Sequence, residues 1–415
     1  MIELEEARRL VLSALRPLAP CEVPLARALD HVAAADVVAV EPVPRFANSS
    51  MDGFALRAED CATVPVTLRV TGTIFAGATP TSEVGPGEAM RIMTGAPLPR
   101  GANAIEIVEE ALASASGDGV EVRRSIAPGT FVRHPGDDVE VGDVLVASGE
   151  VIDASRLAVL AGQGLASVSV FPRPIVGVLS TGDEVVAGTG TLPDSKIRDL
   201  NGPLLLALLA ASGVDAVDLG VVRDDADEVT AALRAGVEAC DAVVSTGGVS
   251  VGDADFVKHA VLALADAEAR SLKVAVRPGK PFAFGLVGER KVPVFALAGN
   301  PVSTKVSFEM FVRPSLEALS HGSVAPRLTI AAELGIAMPR TPDGRAHVVH
   351  VTAATAPDGR VHVLAAARQG SHLLAAVSGA NALVVVPDGE GLAAGAVVPL
   401  LVLAPTTLVP PTRAF

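Results

Sequence analysis

Between Pro174 and Ser320, short apolar runs alternate with helical patterns, and this alternation limits the fold more than any other feature of the chain. PIVGVLS (174–180), VDAVDLGVV (214–222), DAVVS (241–245) and VPVFAL (292–297) read as strands. Segments 201–213, 225–239, 257–264 and 301–319 read as the helices between and after them. LKVAVR and FAFGLV read as two further strands flanking PGKP. Nearly continuous apolar strands separated by helices need cover on both faces, so a doubly wound, mainly parallel sheet is expected. Ligands bind such sheets outside the carboxyl ends of the strands.

Polar loops fall at those ends. STGGVSVGDADF (245–256) follows one strand and precedes a helix. Its glycines, Gly247, Gly248 and Gly252 around Ser250, let the backbone approach a ligand and aim N–H groups at an anion. A helix start also favours phosphate. Asp253 and Asp255 follow as candidate metal ligands beside that anion. STGDE (180–184) repeats the theme with Ser180, Thr181, Gly182, Asp183 and Glu184, and VVRDD adds Asp224 and Asp225. AGNPVS offers Gly299, Asn300 and Ser303 at a helix start with Pro301 in its first turn. Carboxylates beside glycine-cradled anions point to a phosphate ligand with an oxygen-bound divalent cation, Mg²⁺. RPGKP brings Arg277, Lys280 and Pro281 to a tight turn, a second anion site.

At 415 residues the chain is expected to form two to four domains. Residues 1–16 read as an amphipathic helix ended by Pro17 and Pro20. We expect a discontinuous N-terminal mixed α/β domain (1–45 with 134–172), which includes a helix over 153–162. A β-rich insertion (46–133), the α/β domain (173–321) and a small β-barrel-like domain (322–415) complete the division. PDG turns punctuate the last domain, and PTTLVPPTRAF reads as a loose tail. In the insertion, Asp52-Gly53 reads either as a hairpin turn or as part of a site, and Thr94 in the following Pro/Gly loop likewise.

Other chemistries fail. No P-loop or GxSxG elbow occurs, and GQGLAS (162–167) follows a helix, so it reads as a helix C-terminus and not a dinucleotide fingerprint. His347 and His350 share a predicted strand, where three-residue spacing puts them on opposite faces and so argues against a shared metal. The three cysteines are scattered, without CxxC. A net charge of −14, with no tryptophan or tyrosine, argues against nucleic acid. MIELEEARRL has the character of neither a secretion signal nor a transit peptide, and no apolar run is long enough for a membrane span, so a cytoplasmic protein is expected.

MDGFA, IMTGAPLPRGA, STGDE, STGGVSVGDAD, RPGKPFAFG, GNPVS and GSH (370–372), in this order, resemble the molybdopterin molybdotransferases, the MoeA-like proteins that include the E domain of gephyrin. The resemblance covers nearly the whole chain. The glycine loop alone would indicate only the wider molybdopterin-binding fold. The resemblance implies Mg²⁺-dependent insertion of molybdate into adenylylated molybdopterin, with release of AMP. It implies a homodimer of elongated four-domain protomers, its active site shared between the α/β domain of one subunit and the insertion of the other. It also implies transient contact with an adenylyltransferase and with recipient molybdoenzymes.

Carried over by motif, Asp52, Thr94, Glu184, Asp224, Asp255 and Lys280 are the expected catalytic residues. Glu184, Asp224 and Asp255 would hold Mg²⁺ or polar groups of the pterin and ribose. The 247–250 backbone would cradle phosphate. Arg277, Lys280 and Pro281 would receive molybdate, with Arg345 and Ser371 of the last domain. The chain departs from the family pattern at Phe54 (commonly tyrosine), Arg277 (usually lysine), IRDLN before the first helix of the α/β domain, and Ala298 (often proline). GRAHVVHV lacks the usual phenylalanine and second arginine and has His350 instead. The rival expectations are a molybdopterin adenylyltransferase, or a non-catalytic carrier of finished cofactor.

Overall fold

The computed structural model describes residues 1–114, 118–249, 255–265, 269–321, 327–404 and 408. They fall into two compact units, one of residues 22–170 and one of residues 1–21 with 171–415. Among the described residues, no helix is long and apolar enough to cross a membrane.

Helix α1 (Leu4–Ala14) carries Leu4, Ala7 and Val11 on one buried face. With Leu15, these enter a core containing Phe308, Val312 and Leu316. Ile2 also bridges to Val274. The first 21 residues therefore pack with the 171–415 unit, whereas the sequence pattern grouped them with 134–172. An apolar stripe announces that a helix face is buried, but not against what.

In the 22–170 unit, strands β1 (Gly53–Leu56), β2 (Val66–Ile74), β3 (Glu88–Ile92), β4 (Ala104–Ile107), β5 (Leu112–Ala113) and β6 (Gly119–Val122) form one sheet. Its order is β4-β1-β3-β2-β6-β5. The period-two pattern of β1 sends Phe54 and Leu56 into one core and Ala55 into another, so β1 is buried on both faces. Asp153 caps α2 (Ala154–Gly162) by accepting the Arg156 N–H at 2.8 Å. Gly164, at φ +73°, follows that helix, so GQGLAS is a helix C-terminus as read.

In the other unit, β7 (Ile175–Thr181), β8 (Asp215–Val222), β9 (Ala242–Thr246), β10 (Arg270–Lys273), β12 (Pro281–Val287) and β13 (Val292–Leu297) make the central sheet; β11 (Val276–Arg277) lies outside it. The order is β8-β7-β9-β13-β12-β10. The first four strands are parallel, and β12 and β10 add an antiparallel edge. Helices α3 (Asn201–Ala210), α6 (Pro301–Ser307) and α7 (Arg313–His321) cover one face through Leu205, Leu209, Val306 and Leu316. Helices α4 (Ala226–Ala239) and α5 (Phe256–Ala265) cover the other through Leu233, Val237, Val257 and Val261. This is the doubly wound sheet expected.

Two details differ from the sequence reading. The single strand expected over LKVAVR is divided: β10 stays in this sheet, while β11 pairs with a strand of the C-terminal barrel. The single helix expected over 301–319 contains a π turn at Phe308–Val312. Pro314 lacks an N–H and crowds the carbonyl four residues back, which a widened turn accommodates.

Strands β14 (Thr329–Leu334), β15 (Ala346–Thr355), β16 (Val361–Ala366), β17 (Ala382–Val386) and β18 (Val397–Val402) close into a five-stranded barrel in the order β15-β16-β14-β18-β17-β15. Leu334, Val351, Val363, Val384 and Leu400 fill it. Gly344 and Gly359 of the PDG turns hold φ of +72° and +82°. Apart from Leu408, the expected tail lies outside the described residues.

Candidate functional site

A cavity of about 640 Å³ opens at the carboxyl ends of β7, β8, β9 and β13. The β7 loop contributes Thr181, Gly182 and Glu184, the β8 loop Asp224, the β9 loop Gly247 and Gly248, and the β13 loop Gly299 and Asn300. Ser180, Pro281, Ser303 and His372 complete the part of the wall that matters here. Pro281 reaches this rim because β12 runs antiparallel and starts where the parallel strands end.

The wall is braced from beneath. Thr181 donates its hydroxyl to the Thr246 carbonyl at 3.3 Å, and Thr246 donates its own to the Ala298 carbonyl at 3.3 Å. Asn201 donates its amide to Thr246 Oγ1 at 2.8 Å and to the Gly299 carbonyl at 2.6 Å. Its Oδ1 is buried without a partner. Asp199 accepts the Ser180 hydroxyl at 2.9 Å and the Asn201 and Gly202 N–H groups at 3.0 Å, so it serves the start of α3. Sequence reasoning noted IRDLN only as a departure from the family pattern and gave Asp199 and Asn201 no role in the site.

Glycine is required at 247. Its φ is +100°, and a Cβ there would lie 2.5 Å from Thr181 Oγ1 and 2.6 Å from the Thr181 carbonyl oxygen. Three acids lie together in the β7 and β8 loops. Asp183 accepts the Asp224 N–H at 3.3 Å. Burial pushes the Asp224 carboxyl above the usual range, and the charges of Glu184 and Asp183 push it the same way.

Asp255 stands apart. It is buried before α5 and pairs with Lys258 at 3.0 Å, and it is not among the described residues that line this cavity. Among the described residues, no three His, Cys, Asp or Glu side chains converge on a common point suited to a metal ion. Of the three acids proposed from sequence as metal ligands, Glu184 and Asp224 share this cavity, and Asp255 is engaged by a lysine one helical turn on. Ser250, Gly252 and Asp253 lie outside the described residues.

A second cavity of about 680 Å³ adjoins the first and shares Pro281 and Ser303 with it. Arg277, Lys280, Arg345 and Ser371, all proposed from sequence as anion ligands, border it. Asp343 organises this wall: it bonds Arg345, accepts from Arg340 at 2.8 Å and from His347 at 3.2 Å, and lies 3.8 Å from Arg277. Desolvation alone would raise the Asp343 carboxyl, but the bonds from Arg345 and His347 bring it down to about 2. Arg340 and Asp343 were not read from sequence, because a PDG turn gives no hint of a charge hub.

In the 22–170 unit, Asp52 and Thr94 meet directly. Asp52 Oδ1 accepts the Thr94 backbone N–H and its hydroxyl, each at 2.7 Å. These bonds lower the Asp52 carboxyl, the backbone N–H contributing most. Asp52-Gly53 is not a hairpin turn. Gly53 opens β1, paired to both Ile92 and Ile107, and a Cβ there would lie 2.1 Å from the Glu106 carbonyl oxygen.

These features agree with known proteins. Residues 2–164 match the MoeA N-terminal region (domain I and II), residues 177–318 a probable molybdopterin binding domain, and residues 332–403 the MoeA C-terminal region (domain IV). The chain is 32% identical over 409 residues to the molybdopterin molybdenumtransferase of Staphylococcus aureus (strain COL), covering 96% of this chain and 95% of the relative. It is 37% identical over 325 residues to molybdopterin molybdenumtransferase 2 of Mycobacterium tuberculosis (strain H37Rv), covering 76% and 79%. The crystal structure of a molybdopterin biosynthesis MoeA protein from Pyrococcus horikoshii superposes with a TM-score of 0.82 at 30% identity, over 97% of this chain and 99% of that one. Fold and cavity together define a pterin-biosynthesis transferase of multidomain type. The chain belongs to the MoeA family of molybdopterin molybdenumtransferases.

Proposed function

We propose that this protein inserts molybdenum into molybdopterin: it binds adenylylated molybdopterin and molybdate, the adenylyl bond is cleaved, AMP leaves, and molybdenum passes to the dithiolene sulfurs. The observation that carries this reading is the pair of adjoining cavities with a common wall at Pro281 and Ser303. One offers a glycine backbone and acids, the other an excess of cations, so each suits one of the two substrates.

In the first cavity the backbone at Gly247 and Gly248 faces phosphate. The residues present fit Mg²⁺. Asp224, its carboxyl raised by burial and by Glu184 and Asp183, gains from an added cation. Two carboxylates completed by substrate phosphates are the usual setting for this ion. Glu184 and Asp224 would hold it, and when bound it supplies Lewis-acid polarisation of the phosphate linkage. In the second cavity, Lys280, Arg277 and Arg345 neutralise molybdate, and Asp343 keeps the arginines from repelling one another apart. Asp52, held ionised by Thr94, completes the site from a second subunit in a homodimer.

The test mixes the purified protein with adenylylated molybdopterin, Mg²⁺ and low molybdate. It follows AMP release together with activation of a cofactor-free molybdoenzyme. Molybdate-dependent appearance of both supports the proposal. Tight pterin binding with neither would favour the carrier reading, and consumption of ATP would favour an adenylyltransferase.

A further inference from the structure

The second cavity contains a histidine that the proposed chemistry leaves unused. His350 lies on β15, is 2% exposed, forms part of the cavity wall, and its Nε2 has no hydrogen-bond partner. Buried polar atoms are normally satisfied; this nitrogen is sealed from solvent without a partner, and a turn of the imidazole at the cavity wall would give it one on a bound ligand.

The charges around it identify that ligand. The turn before β12 contributes Arg277 and Lys280. The 339–345 segment contributes Arg340, Asp343 and Arg345; residue 368 is an arginine; and β15 itself adds His347. Lys305 acts on His350 from α6. The described wall thus has five permanent cations against one carboxylate, and that carboxylate, Asp343, is already engaged by Arg340, Arg345 and His347. A wall of this kind attracts a compact oxyanion of double charge.

We propose that His350 is a proton-coupled ligand of the oxyanion in the second cavity: as the dianion enters, the imidazole takes one proton from solvent and donates a hydrogen bond to an anion oxygen. The inference rests on the reading of this cavity as the molybdate site. Burial and the Lys305 charge hold His350 neutral, its pKa down at about 4. An adjacent dianion reverses both influences and raises that pKa. A base whose pKa rises on binding strengthens binding at low pH, and this gain is lost as pH rises through the bound-state value. An arginine at this position would give no such dependence.

The experiment is calorimetric titration of the whole protein with molybdate alone, from about pH 8 down to about pH 5.5, in pairs of buffers of different ionisation enthalpy. Wild-type affinity is expected to rise as pH falls, approaching about tenfold per unit at most, with up to one proton taken up per anion. His350→Phe should flatten this profile and weaken binding roughly ten- to hundredfold at the acid end, and His350→Arg should bind tightly without it. Binding by the wild type with no proton uptake overturns the His350 proposal alone, and needs no variant to fold. Absence of molybdate binding by the wild type, with Lys280→Ala indistinguishable from it, overturns the cavity assignment as well.

Discussion

Gly247→Ala separates a site built by backbone geometry from one built by side chains. The added methyl meets two obstacles. At φ +100° an L-residue is strained, and the Cβ falls 2.6 Å from the Thr181 carbonyl oxygen, a backbone atom that cannot swing aside. To restore ordinary contact the loop must withdraw by roughly 0.7 Å from the floor formed by Thr181. The strain and displacement together cost about 2–4 kcal/mol, most of it confined to the loop. A misplacement near 1 Å lowers a positioned reaction about a hundredfold. AMP release under saturating Mg²⁺ should therefore fall by roughly that factor, while far-ultraviolet circular dichroism stays unchanged. Gly213→Ala is the control. Its φ is +74° and nothing lies within 4 Å of the added Cβ, so it carries backbone strain alone, about 1–2 kcal/mol, with AMP release unaltered. If Gly247→Ala releases AMP within about threefold of wild type, the cradle argument is wrong.

Other perturbations follow from the same geometry. Lys280→Ala should raise the molybdate concentration needed for half-maximal AMP release by about ten- to hundredfold and leave pterin affinity alone; equal losses in both would argue for a structural role instead. Thr94→Val keeps the backbone N–H on Asp52 but removes the hydroxyl, so the Asp52 carboxyl should rise towards its ordinary range, as read by NMR titration. Mg²⁺ must displace a proton from Asp224, whose carboxyl is raised; apparent Mg²⁺ affinity should therefore fall as pH drops into that raised range. Asp224→Asn should abolish this dependence, and a pH-independent wild-type affinity would place the cation elsewhere.

The sheet was legible because its signal is local: each apolar run sits between helical patterns, and the glycine loops mark where the strands end. The closed barrel was legible for the same reason, from short strands broken by PDG turns. Side-chain engagement was not. Asp255 resembles a ligand in the sequence, and its pairing with the lysine at the i+3 position is visible only in the fold. Asp343 sits in an ordinary-looking turn and becomes a hub only when β11 docks beside β15 and brings Arg277 within reach. Asn201 reads as a helix start, and its bonds to Thr246 and to the residue 299 carbonyl depend on contacts 45 and 98 residues away. His350 reads in the sequence only as a departure from the family's second arginine, since loss of every partner for a ring nitrogen is a tertiary event.

The wall common to the two cavities has a thermodynamic consequence. Pro281 and Ser303 belong to both linings, so a ligand that fixes them from one side prepares the surface met by a ligand on the other. The ordering entropy is then spent once for two binding events, which makes each ligand tighten its companion by the same factor. If the proposed function holds, substitutions at these two positions should alter that reciprocity more than either separate affinity, and the partition would synchronise the arrival of pterin and oxyanion.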